Sequence, residues 1–174
     1  MDEFALPDVI EGDLILLICG SAASRRSAET GNYYAGPRNR FWSTLFEIGL
    51  TPYRLEPKDF AKLPKFGIGL TDLAKKYSGS DSRLRIEDDD PSSLLANINR
   101  IRPPVLAFNG KRAAKSFLET ERVSYGRQKC GVGDTVIYVL PSTSGAAARY
   151  WDIRYWHELA NLIRQIQARS TDAD

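Results

Sequence analysis

The chain has one histidine and two cysteines, Cys19 and Cys130. That is too few for a zinc or iron–sulfur constellation, so neither a metal nor a cofactor is expected. Two cysteines also make no disulfide framework, and Cys19, which ends an apolar run, reads as a buried thiol of a reducing compartment. Long apolar runs are missing. The longest, residues 14–19, falls far short of the roughly 20 residues a membrane helix needs. The opening Met1-Asp2-Glu3 is acidic rather than basic, unlike a secretory signal, so a cytoplasmic protein without membrane contact is expected. The sequence also lacks a large charge excess, with 24 Lys+Arg against 22 Asp+Glu. Neither G-x-x-x-x-G-K-[ST] nor G-x-G-x-x-G occurs, which argues against a nucleotide-phosphate loop. There is no G-x-S-x-G, and the only histidine, His157, lies in a C-terminal helical stretch and reads as structural, which argues against a Ser-His-Asp hydrolase. No repeat, linker or low-complexity tract divides the 174 residues. One domain over 1–174 is expected, monomeric, with about 170–174 as a frayed tail.

Hydrophobic residues make up 43% of the chain, enough for a core without staples. Four short, continuous apolar runs read as buried strands: 14–19 (LILLIC), 67–71 (GIGLT), 104–108 (PVLAF) and 135–140 (TVIYVL). Between them, helical spacing predicts helices over 40–49, 92–101 and 111–118, and a last one over about 153–168 with Trp156, Leu159, Ala160, Ile163 and Ile166 on one face. This alternation predicts an α/β protein, a three-layer α/β/α sandwich around a short, mainly parallel four-stranded sheet. Trp42, Trp151 and Trp156, in or beside helical segments, read as core.

Each strand run is followed by small, hydroxylated or basic residues: Gly20-Ser21-Ala22-Ala23-Ser24, Thr71-Asp72, Asn109-Gly110-Lys111 and Pro141-Ser142-Thr143-Ser144. In a parallel sheet these segments share the carboxyl edge, where open α/β folds bind ligands. Gly20-Ser21 can be a plain tight turn, or can offer main-chain N–H groups to an oxyanion. Asp72 can cap a turn, or can enter a pocket as a carboxylate that accepts an N–H or orients water. Ser142 and Ser144 suit a hydroxyl-rich turn and equally suit phosphate contacts. Basic residues gather beside these segments, among them Arg25-Arg26, Arg38, Arg40, Lys111-Arg112 and Arg149, so a polyanion could be steered locally. The segment "GNYYAGPRNRFW" places two tyrosines on a loop beside arginines. That arrangement suits a pocket for something flat and anionic.

The stretches LILLICGSAAS, TGNYYAGPRNRFW, GIGLTDLAKK, VLAFNGKRAA and LPSTSGAAARYW resemble, in order and spacing, the uracil-DNA glycosylase superfamily. The mismatch-specific uracil-DNA glycosylases and hypoxanthine-DNA glycosylases are its most similar branches. The resemblance covers about 14–151, and its most specific part is the Tyr-Tyr-Ala-x-Pro-Arg-Asn-x-Phe-Trp stretch. It implies an enzyme that hydrolyses the N-glycosidic bond of uracil, with hypoxanthine as a further candidate, in single- or double-stranded DNA. Metal and cofactor are not implied.

By that resemblance Asp72 and Asn39 are the catalytic candidates, with a helix cap or loop brace as the alternative for Asn39. Gly20, Ser21, Tyr33 and Tyr34 would hold the base, with Tyr34 stacking on it. Arg26, Arg38, Lys111, Ser142, Ser144 and Arg149 would lie along the DNA, with Arg40 also near its phosphates. The chain departs from the family pattern in four places. Ala22 stands where the mismatch-specific enzymes carry the water-positioning Asn, Ala23 where they carry proline, Leu140 where His or Asn is usual, and Gly36 where a His often precedes the proline. Two other readings therefore stay open: a catalytically weak relative that binds uracil or abasic DNA, and a small-molecule hydrolase on the same kind of sheet.

Overall fold

The computed structural model describes residues 4–172. The acidic opening Met1-Asp2-Glu3 and the last two positions of the expected tail lie outside the described residues. The strands are β1 (Leu16–Ala23), β2 (Ile68–Ser78), β3 (Val105–Asn109), β4 (Gly126–Val132) and β5 (Thr135–Leu140), and they form one sheet in the order β2-β1-β3-β5-β4. β1 runs parallel to β2 and β3, and β3 parallel to β5, while β4 is antiparallel to β5. The expected four strands are thus corrected to five in a mixed sheet. β4 has no apolar run because it is an edge strand with mostly exposed residues, among them Arg127, Lys129 and Cys130. Its signal was the two-residue turn Gly133-Asp134, with Gly133 at φ 55, between Val132 and Thr135.

The helices are α1 (Arg25–Thr30), α2 (Phe41–Glu47), α3 (Pro91–Ile101), α4 (Lys111–Leu118) and α5 (Ile153–Thr171). Neighbouring residues of a strand point to opposite faces, and the core divides accordingly. Leu16, Ile18, Val105, Ala107, Tyr138 and Leu140 join Phe41, Trp42 and Leu45 of α2 and Trp156, Leu159, Ala160 and Ile163 of α5. Leu17, Cys19, Leu106, Phe108, Ile137 and Val139 join Leu94 and Ile98 of α3 and Ala113 and Ala114 of α4. Helices therefore flank both faces. Trp42 and Trp156 are buried, Trp151 is half-buried against the same core, and Cys19 is a fully buried free thiol. α5 continues to Thr171, whose hydroxyl donates to Ala168 O at 2.8 Å. His157 lies on the exposed side of α5.

The outer edge of β2 is covered by the N-terminal segment, where Val9 and Leu70 exchange main-chain hydrogen bonds and Ala5 N donates to Lys75 O. Asp8 of this segment pairs with the buried Lys75 at 2.5 Å and accepts from Thr71 Oγ1 at 2.7 Å. Trp156 links core to site, since its Nε1 donates to Pro141 O at 3.0 Å, at the start of the segment after β5. Trp156→Ala is expected to lower unfolding free energy by about 3–5 kcal/mol, as large-to-small changes of buried aromatics do. Urea titration of the two proteins checks this, and a change below about 1 kcal/mol would show that Trp156 is not central to the core.

Candidate active site

The parallel register of β1 and β2 sets Gly20 opposite Asp72. Asp72 is 6% exposed and lies inside β2, so the reading of it as a turn cap past the strand is overturned. Gly20 and Ser21 likewise continue β1 instead of forming a loop. The absence of a side chain at Gly20 is required here. A Cβ there would sit 2.5 Å from Asp72 Oδ1 and 3.2 Å from the Tyr34 hydroxyl. β1 pairs with β3 only as far as Cys19↔Phe108, so beyond Cys19 its β3 side has no strand partner. The crevice opens between β1 and β3, where the strand order reverses, the usual ligand position in such sheets. It is a cleft of about 1320 Å³.

Asp72 accepts no hydrogen bond among the described residues. Burial raises its pKa to about 7; Lys75 pulls it down, while Asp8 and Asp81 push it further up. Burial thus favours the protonated carboxyl far more than in water, which places an acid with a strongly raised pKa in the cleft.

Tyr34 has φ 53, a left-handed backbone that costs a non-glycine residue about 1–2 kcal/mol. Its ring is stacked on Phe41 at 3.9 Å, so one face is already taken. Its hydroxyl is buried without a well-formed hydrogen bond, and burial raises its pKa well above the usual value, while nearby Asn109 opposes this. Tyr33 lies behind Tyr34, ring centres 6.0 Å apart, is 1% exposed, and also has a buried hydroxyl without a partner. Asn39 lines the cleft, and its Oδ1 accepts from Phe41 N at 3.0 Å, so the side chain braces the entry to α2. That brace uses the amide oxygen and leaves Nδ2 as a donor. Arg40 turns inward instead of toward the cleft, its guanidinium 5.4 Å from the Trp151 ring centre. Arg38 is exposed, with its Cβ against Gly145, and does not line the cleft.

The other wall is held by Asn109, which the sequence reading left without a role. Its Nδ2 donates to Thr143 Oγ1 at 2.9 Å, and its Oδ1 accepts from Thr143 N at 3.0 Å. This double bond ties the end of β3 to the segment after β5 and fixes Ser142 and Ser144 on the cleft wall. An Asn at a strand end followed by a Gly was the available signal. Arg26 and Lys111 also line the cleft. Lys111 sits 4.3 Å over the Tyr125 ring. Arg149 lies outside the lining, with its guanidinium over Tyr150. Among the described residues no group of three or more His, Cys, Asp or Glu could hold a metal, and no helix is long and apolar enough to cross a membrane.

The profile of the Uracil DNA glycosylase superfamily matches residues 7–162. The chain belongs to that superfamily. It is also similar to a solution NMR structure from Methanosarcina acetivorans described as a "putative Uracil DNA glycosylase". That likeness has a TM-score of 0.62 and 24% identity, over 93% of this chain and 96% of the other, and shows a shared fold. In this uracil DNA glycosylase superfamily member, Ala22 pairs with Ala74 inside the sheet and Leu140 is fully buried. Neither brings a polar side-chain atom to the cleft. The polar groups that converge on its floor are Asp72, Ser21, Asn109 and the Tyr34 hydroxyl.

The raised pKa of Asp72 has a stability consequence. The folded state holds this proton up to about pH 7 and the unfolded state releases it near 3.8, so wild-type stability falls as pH rises between those values. Asp72→Asn is neutral throughout. It is expected to be more stable than wild type at pH 8, by up to about 4 kcal/mol, and equally stable at pH 4. Urea midpoints at the two pH values check this; a constant difference would show that Asp72 is not desolvated.

Proposed function

We propose that the protein is a single-domain, cofactor-independent DNA glycosylase that hydrolyses the N-glycosidic bond of uracil, and of hypoxanthine, leaving an abasic site for base excision repair. The observation that carries this reading is the buried carboxylate of Asp72 beside Gly20 and the Tyr34 hydroxyl, in a cleft walled by hydroxyls and cations. A base can reach Asp72 only outside the helical stack, and flipping costs a few kcal/mol. Tyr34, backed by Phe41, offers an aromatic surface that returns about 1–3 kcal/mol.

Ionised, Asp72 accepts from N3–H of uracil or N1–H of hypoxanthine. Cytosine and adenine set an acceptor against it, a buried mismatch that costs about 1–3 kcal/mol. The same negative charge supports the cationic sugar of the transition state. Charge develops on the leaving base as well, where a preorganised donor is worth roughly 3–4 kcal/mol. A main-chain N–H on the unpaired side of β1 at Gly20-Ser21 and the free Nδ2 of Asn39 are suited to that task. Because its oxygen is engaged by Phe41 N, Asn39 fits leaving-group stabilisation better than water activation. Arg26, Lys111, Ser142 and Ser144 would face the sugar-phosphate backbone.

Ala22 and Leu140 favour one alternative, a relative that holds uracil or abasic DNA and turns over weakly. Incubation with uracil-containing strands followed by alkali separates the two: strand breaks support the glycosylase, and a gel shift without breaks supports the binding protein. In single turnover, Asp72→Asn is expected to excise uracil at least about tenfold more slowly, a loss of about 1.4 kcal/mol, with DNA affinity nearly unchanged. Wild-type rates for Asp72→Asn together with a slow Asn39→Ala would transfer the role to Asn39. Since the ionised form is the active one, kcat/KM should fall about tenfold per pH unit below about 7 and level off above it. A profile flat from pH 5 to 8 would contradict this.

A further inference from the structure

Two aromatic rings of the cleft wall take no part in the base pocket. Tyr150, 53% exposed, ends the 3-10 turn Gly145–Tyr150. The Arg149 guanidinium lies 4.6 Å from its ring centre and donates to its hydroxyl. Tyr125, half-buried, carries Lys111 over its ring at 4.3 Å and has Tyr155 at 5.3 Å. Tyr150 is close enough to Tyr125 to add to the rise in its pKa that burial causes. Both rings line the same cleft as Asp72. Each therefore has one side engaged by a cation and surface turned to the cleft.

The turn before Tyr150 is small. Gly145 is followed by Ala146, Ala147 and Ala148, and the first two alanines line the cleft. Proteins that unstack a duplex commonly fill the opened step with an apolar wedge such as Phe, Leu, Ile or Met. This turn supplies none. A single strand leaves no such gap to fill, and its neighbouring bases present free π faces that aromatic side chains accept whatever their sequence.

The geometry points to a second nucleobase subsite: Tyr150, pinned by Arg149, stacks on the unpaired base next to the flipped nucleotide, and the Lys111–Tyr125 pair receives the adjoining backbone. The substrate class is single-stranded DNA. The inference rests on the glycosylase reading for the identity of the flipped nucleotide, and it gives Arg149 the task of holding Tyr150 in place of a phosphate contact.

Fluorescence anisotropy tests it with short single strands carrying a central 2′-fluoro-2′-deoxyuridine, which resists excision. The immediate neighbour on each side in turn is replaced by a base-less tetrahydrofuran residue, and the intact strand is also annealed to its complement. Loss of one neighbouring base should weaken wild type by about tenfold. Tyr150→Ala should bind the intact strand about tenfold more weakly and should not respond to the missing neighbour, while Tyr150→Phe should match wild type. Duplex binding should be little changed by Tyr150→Ala. The proposal is overturned if neither missing neighbour affects wild type, or if one weakens wild type and Tyr150→Ala alike. It is also overturned if Tyr150→Ala loses more affinity for the duplex than for the single strand, which would make Tyr150 a wedge. Excision from ordinary uracil strands is scored separately. Tyr150-dependent stacking without excision removes only the glycosylase reading, and excision with no neighbour effect removes only this one.

Discussion

A carboxyl group is expensive to remove from water, and a parallel sheet offers few ways to do it without a partner cation in contact. Here the register of β1 and β2 puts Asp72 opposite Gly20, a residue with no side chain to compete for the space. The carboxyl takes up that space, which the Tyr34 hydroxyl also borders. Much of the site follows from this one placement. Gly20 cannot carry a side chain, and burial raises the pKa of the acid to about 7. Burial opposes ionisation at this position, so fold stability is coupled to the protonation of the acid.

The surrounding scaffold holds that placement by short, specific links. Thr71 and Lys75 flank Asp72 on β2, and both reach Asp8 of the N-terminal segment, which receives Asn97 Nδ2 as well. The strand carrying the acid is thus tied at its outer edge. On the other side of the crevice, Asn109 grips Thr143 through both side-chain atoms, and Trp156 holds Pro141. Arg40 N donates to Thr143 O, so the tyrosine-bearing loop and the segment after β5 share an anchor. Asp89 adds a third tie, accepting from Arg112 and Ser116 of α4, and its neighbour Asp90 donates its main-chain N–H to Leu73 O. Each wall of the cleft is therefore fastened to a different strand end, as preorganised sites require.

The residues that expose aromatic surface along the cleft differ in support. Tyr34 is backed by Phe41, an apolar ring from the core, whereas Tyr150 is backed by the charged Arg149 in solvent. The first surface is deep and the second exposed. A substrate that enters as a flipped nucleotide with flanking bases would meet both kinds.

Local pattern alone determined the parallel core. The continuous apolar runs that became β1, β2, β3 and β5 can be buried only on both faces, and the spacing of Trp156, Leu159, Ala160 and Ile163 allows only a helix with one covered side. The same logic gathered the small, hydroxylated and basic segments at the carboxyl edge, where they line one cleft, and the residue stretches pointed to the superfamily. β4 escaped because an exposed edge strand needs no apolar run, and its mark was only a Gly-Asp turn. Strand ends escaped as well. Gly20-Ser21 and Asp72 read as loop residues because small and polar side chains mark turns, yet pairing across β1 and β2 carries both strands past them. Whether Asp72 is a cap or a buried acid depends on what stands opposite it, fifty-two positions earlier in the chain. Only the tertiary structure decided that, along with the inward turn of Arg40, the brace made by Asn39 and the grip of Asn109 on Thr143. A side chain's direction is set by neighbours that are distant in sequence, and no local pattern encodes them.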